Sequence, residues 1–176
     1  MKKIFYLAIL MLAFSGGYAA ADQNPGRAAD KAAINGLMDG FHAAAAAADR
    51  DRYLGYFSEN GVFMGTDDWE RWPLNPDFRN YVAERFRKGV GWSYKPVERH
   101  IAFGPDGKVA WFDEITRSEK WGLFRGTGVL LKQDGGWKIA HYAMSVLVPN
   151  EAWVAVSDLN KAAVKRRNAE KEQARE

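Results

Sequence analysis

The chain has 176 residues, 47% of them hydrophobic, with no cysteine and 25 Lys+Arg against 22 Asp+Glu. That is enough chain for one domain with a sizeable core, and a disulfide scaffold is excluded. The basic excess lies at the ends: Lys2 and Lys3 open the chain, and six basic against three acidic residues fall in 161–176, so the body 22–160 is about two charges negative and no nucleic-acid partner is expected.

Residues 1–21 have the plan of a secretory signal peptide: Lys2-Lys3, the apolar run Ile4 to Phe14, then small residues ending Ala19-Ala20-Ala21. The expectation is cleavage after Ala21 and a periplasmic or secreted protein with no membrane attachment after signal removal. The apolar run is shorter than the roughly 20 residues a bilayer span needs. Without cysteine, the exported protein must be stable through its core alone.

Residues 22–27, with Asn24-Pro25-Gly26, predict a flexible lead segment. From Ala28 to Ala48, Ile34, Leu37, Met38 and Phe41 recur at i, i+3, i+4 and i+7, and an alanine run follows, which predicts an amphipathic helix. Asp49 or Asp51 is placed to cap a short second helix that Asn60-Gly61 stops, and Val62 to Thr66 reads as a strand. Asp67 to Leu74 reads as a loop. Asn75-Pro76 predicts the start of a third helix, with proline at its first position and Gly89 closing it.

Beyond Gly91 the period becomes two. Trp92–Phe103, Lys108–Arg117, Leu123–Lys132 and Trp137–Val148 predict a four-stranded antiparallel meander, with a glycine-bearing turn at Gln133-Asp134-Gly135-Gly136. The last strand is apolar on both faces, so both faces of the sheet should be covered. Residues 151–176 predict a charged helical tail capped by Ser157 or Asp158. Helices first and a long sheet after them make the α+β class.

The segments Gly65-Thr66-Asp67, Glu70-Arg71-Trp72, Gly89-Val90-Gly91-Trp92, Ala110-Trp111-Phe112-Asp113-Glu114, Arg125-Gly126-Thr127-Gly128-Val129-Leu130 and Gly135-Gly136-Trp137-Lys138-Ile139-Ala140 occur in one order. This series resembles the SnoaL-like branch of the nuclear transport factor two-like superfamily, in particular its small exported bacterial members, over residues 28–150. The resemblance implies a cone: a curved sheet wrapped around the first helices, a pocket at its open end, and often a homodimer across the outer sheet face. Relatives with that cone include isomerases, dehydratases and hydrolases as well as proteins that only bind, so function has to come from the site.

For that pocket the expected walls are Phe63, Trp69, Trp72, Phe78, Tyr81, Trp92, Tyr94 and Trp111. Asp113, in the apolar run Val109 to Ile115, is the sharpest polar candidate, because a desolvated carboxylate must be paired or protonated. Arg125 and Thr127 on the next strand are within its reach, and His141 lies one strand further. These placements assume that Trp111, Asp113 and Arg125 face inward with Trp137 and Ile139. His42 and His100 are dispersed, and with no cysteine there is no zinc signature; Gly126-Thr127-Gly128 lies within a strand and is no nucleotide fingerprint, so neither metal nor cofactor is expected. The first functional reading is binding of a small apolar molecule without turnover. The alternative is a cofactor-independent isomerase, dehydratase or hydrolase that uses Asp113 or His141 for proton transfer.

Overall fold

The structure, a computed structural model, describes residues 25–175. The expected signal peptide, 1–21, lies outside them. Helix α1 (Pro25–Ala46) buries Ile34, Met38, Phe41, Ala44 and Ala45, the stripe that the apolar spacing marks, and His42 with them. It starts earlier than expected: residues 25–27 open the helix rather than forming a flexible lead. The alanine end allows close approach, because Gly91 passes so near that a Cβ there would overlap the Ala45 carbonyl, and the Trp92 N–H donates to that same oxygen at 3.0 Å.

Helix α2 (Arg50–Gly55) is capped by Asp49, whose carboxylate accepts from the Arg52 N–H at 3.2 Å. Strand β1 (Phe57–Met64) follows, and the segment expected as a loop contains a three-residue strand, β2 (Arg71–Pro73), antiparallel to β1. A wide turn, Leu74–Phe78, crosses the cis Asn75–Pro76 bond before α3 (Arg79–Phe86). Asn75 does not cap that helix. Its backbone is extended, and its side chain instead donates to the Glu59 carbonyl and accepts from Arg79.

Strands β3 (Lys95–Phe103), β4 (Val109–Ser118), β5 (Gly122–Gln133) and β6 (Gly136–Val146) form the expected antiparallel meander. Strand β6 then pairs parallel to β1, giving a six-stranded sheet in the order β2-β1-β6-β5-β4-β3. This is the α+β plan with a curved sheet around the N-terminal helices. The core fills the concavity: Phe41 stacks on Tyr53 at 4.7 Å, and Phe78 on Phe63 at 4.5 Å. At the far end of α1, Asp30 accepts from the Trp137 indole at 3.0 Å and lies 2.7 Å from Lys132, which pins the helix across the sheet.

Helix α4 (Trp153–Gln173) starts before either expected cap and buries no residue. Arg167 ties it to the body, meeting the Asp68 carboxylate through both terminal nitrogens. Among the described residues no helix is long and apolar enough to cross a membrane.

Candidate functional site

One face of α1 carries Asn35, Asp39 and His42 at i, i+4 and i+7, a polar stripe beside the apolar one. The stripe faces two paired residues of the sheet, Arg99 on β3 and Glu114 on β4. His42 Nε2 lies 2.7 Å from Glu114 Oε1, and Tyr142 on β6 donates its hydroxyl to the same oxygen at 3.1 Å. Arg99 Nε donates to Glu114 Oε2 at 2.9 Å. Its Nη2 lies 2.9 Å from that oxygen as a charge contact too bent for a hydrogen bond. Arg99 Nη1 returns to α1, donating to Asn35 and to the Asp39 carboxylate at 3.0 Å.

Glu114 is fully buried. Burial pushes its pKa up, but the hydrogen bond and charge of His42 and the charge of Arg99 more than offset this and hold it below the ordinary carboxylate value. An ionised carboxylate only accepts, so the proton of the His42 contact sits on Nε2. Beside Glu114 the charged ring holds protons on both nitrogens, and on losing one it keeps Nε2–H, so that Nδ1 carries the lone pair. Nδ1 makes no hydrogen bond to the described residues, and His42 lines a cavity.

That cavity, about 120 Å³, opens between the helices and the wide end of the sheet. Its floor is Phe41, His42, Tyr53, Phe63 and Tyr142; its rim is Gly65, Thr66, Glu70, Tyr81, Trp92, Tyr94 and Met144, with Ala45 between. An apolar cavity of roughly this size holds a benzene-sized molecule. The hydroxyls of Tyr53, Tyr81 and Tyr94 make no hydrogen bond to the described residues. Burial raises all three pKa values, and the proximity of Tyr94 and Tyr81 adds to the rise at Tyr53, so the three are neutral O–H donors in the cavity lining.

Of the walls expected from sequence, Phe63, Tyr81, Trp92 and Tyr94 line this cavity. Trp72 stands behind, stacked on Tyr81 at 4.8 Å, and Phe78 is core. Trp69 is exposed on the loop after β1. The polar candidates are elsewhere: Asp113, Arg125 and Thr127 are exposed on the outer sheet face, where Trp111 is 50% exposed, and His141 contacts Met64 Sδ there at 3.3 Å.

One residue reverses the assumed parity. In β6, Ile139 pairs with Leu130 and His141 with Val129, leaving Ala140 as a bulge. Alternation resets there: Trp137 and Ile139 point inward before the bulge, and Tyr142 points inward after it while His141 turns out. Cross-strand pairing carries the reset to Val129 and Trp111, so the inward set of β4 is Ala110, Phe112, Glu114 and Thr116.

The sequence reading therefore missed Glu114, Arg99, Tyr142 and the role of His42. A signal was present in Gly126 and Gly128, two glycines one pleat apart inside a strand. A Cβ on Gly126 would lie 2.6 Å from the Tyr142 hydroxyl and 2.9 Å from Glu114 Oε1, so its absence lets side chains from β4 and β6 meet over β5. Among the described residues no three His, Cys, Asp or Glu side chains converge into a metal-holding group.

The SnoaL-like domain family model matches residues 34–149. The chain belongs to the SnoaL-like domain family. Solved structures share the fold of this SnoaL-like chain at low identity. A candidate aromatic ring hydroxylase from Novosphingobium aromaticivorans aligns at a TM-score of 0.60 and 21% identity, covering 72% of this chain and 94% of that one. A candidate dehydratase of the nuclear transport factor two-like family from Streptomyces avermitilis aligns at 0.58 and 13%, covering 69% and 99%. A nuclear transport factor two-like protein of unknown function from Pseudomonas putida aligns at 0.57 and 16%, covering 72% and 92%. Comparison with curated protein sequences gave no significant match.

Proposed function

We propose that this SnoaL-like protein is a cofactor-independent enzyme of the isomerase or dehydratase type, moving a proton on a small, mostly apolar molecule held in the cavity. The sequence alone ranks binding without turnover first. The observation that favours catalysis is the His42–Glu114 contact, in which a buried carboxylate fixes Nε2–H and leaves the Nδ1 lone pair for the cavity. Glu114 orients the ring and stabilises the imidazolium that forms when Nδ1 takes a proton, while the hydrogen bond from His42 and the charge of Arg99 keep the carboxylate ionised. The hydroxyls of Tyr53, Tyr81 and Tyr94 supply neutral donors for a carbonyl or leaving hydroxyl on the same molecule. One structural neighbour bears the name of a candidate dehydratase, a reaction that needs this pairing of base and donor.

The test is carbon-bound proton exchange in D₂O. Wild-type protein should accelerate deuterium uptake next to the carbonyl of small cyclic ketones, followed by NMR, and His42→Gln should reduce the rate by about 100-fold or more while circular dichroism stays unchanged. A wild-type rate equal to buffer, or an undiminished rate in the variant, would leave the cavity as a binding site only.

The reading includes export, supported by the leader pattern of residues 1–21. It also includes a homodimer through the outer sheet face, supported by the exposed Trp111 beside the half-buried Val129 and His141. Periplasmic fractionation with mass spectrometry of the mature N-terminus tests the first, and sedimentation of wild type against Trp111→Glu tests the second.

A further inference from the structure

We propose that the molecule taken by the cavity carries a cationic group, an amine or ammonium, seated against Glu70 at the rim. The inference rests on the cavity being the binding site and adds the charge of its ligand.

Glu70 is built into its place. A Cβ on Gly65 would overlap the Glu70 carboxylate, so glycine there makes room for the side chain to fold over the end of β1. The Gly65 N–H donates to the Glu70 carbonyl at 3.0 Å, and the Asp67 N–H donates to Glu70 Oε2 at 3.1 Å, which fixes both backbone and carboxylate. Oε1 is left without a hydrogen bond, and no Lys or Arg forms an ion pair with Glu70 among the described residues. Its acidic neighbours differ: Asp67 and Asp68 both meet Arg167. Glu114, which contacts His42 and does not itself line the cavity, is matched by Arg99. Among the described residues that line the cavity, the formal charge without a counter-ion is thus the one at Glu70.

The surrounding rim suits a cation. Tyr81, Trp92 and Tyr94 stand beside Glu70, with Tyr81 and Trp92 near parallel at 5.9 Å. Aromatic faces attract cations, and this wall already holds one, since the Arg85 guanidinium lies 5.5 Å over the Trp92 ring. Arg85 itself donates to the Val90 carbonyl and does not line the cavity. The negative potential of Glu70 also reaches the Tyr81 and Tyr94 hydroxyls, where after burial it is the next influence opposing their ionisation and outweighs the opposite effect of the Arg85 charge. An anionic ligand would meet the same opposition. A cation at Glu70 removes it, and would offset negative charge developing on a carbonyl held by the tyrosines.

The experiment compares benzylamine with benzyl alcohol, near-equal in shape and different in charge, by tryptophan fluorescence and calorimetry at neutral pH. Wild type should bind the amine about tenfold more tightly than the alcohol. Glu70→Gln, whose amide oxygen can still accept from the Asp67 N–H, should keep the alcohol affinity and lose the preference. Equal affinities in wild type, or a preference that survives Glu70→Gln, would overturn the cation proposal while leaving the cavity as the binding site. Binding of neither probe at millimolar concentration would remove both. The proton-exchange measurement on ketones is independent of these outcomes, so failure of the catalytic reading is seen separately.

Discussion

Glu114 and His42, 72 residues apart in the chain, meet at 2.7 Å with neither side chain more than 6% exposed. The contact joins α1 to β4, the strand next to the β3 edge of the sheet, and Arg99 completes it from β3. A carboxylate so placed is costly unless every donor around it stays in position.

Removing that carboxylate should therefore be expensive. Glu114→Gln leaves the buried Arg99 with only the largely exposed Asp39 as counter-ion and should cost toward the lower end of about 3–5 kcal/mol in urea unfolding. Arg99→Met in the same chain removes the cation that has lost its buried partner, and the double variant should lose less than the sum of the singles. Strict additivity would mean that the two groups do not act as a pair.

Acid should expose the same dependence. The folded pKa of Glu114 is lowered, so its contribution to stability is present above the unfolded carboxylate value, about 4.3. It is lost as pH falls through the folded value. Wild-type denaturation midpoints should drop through this acid range, and Glu114→Gln should flatten that part of the profile; parallel profiles would show that another group governs it.

The glycines of β5 and α1 should respond oppositely to alanine. A Cβ at Gly128 would lie 2.5 Å from the His141 carbonyl oxygen and from a Phe112 ring carbon, so Gly128→Ala should destabilise by about 1–3 kcal/mol. At Gly36, mid-helix, an added Cβ would have nothing within 4 Å, and Gly36→Ala should stabilise by about 0.5–1 kcal/mol. Thermal melts of the two variants are sufficient to check both signs.

Helix α4 should be dispensable for the fold. It buries no residue, and Trp153 is 64% exposed. A chain ending at Pro149 should unfold within about 0.5 kcal/mol of the full chain. In the full chain, Arg167→Ala should speed amide exchange along α4, because a lone helix of this length is marginal in water. A large stability loss on truncation would reveal packing that α4 makes in solution.

Much of this architecture is readable from residues alone because its signals are local. The spacing of Ile34, Met38 and Phe41 defines α1, and the turn glycines divide the meander. The SnoaL-like segments add the cone, and four of the aromatic walls line the cavity. The polar site was not readable in the same way. Its residues come from α1, β3, β4 and β6, and which side of each strand faces in depends on a bulge at Ala140 that no local pattern marks. Strict alternation from Trp137 selects Asp113 and His141, whereas the bulge selects their neighbours Glu114 and Tyr142. Gly126 and Gly128 hold the missing information, since paired glycines inside a strand signal bulky groups crossing above them.

The central claim is that His42 offers an unprotonated Nδ1 to the cavity, and ¹⁵N NMR of its ring during titration with phenol tests it most directly. In the neutral ring the proton should reside on Nε2, and phenol should move the Nδ1 resonance in wild type while the Nε2–H signal persists. A proton found on Nδ1, or an Nδ1 signal indifferent to phenol at saturation, would contradict the account.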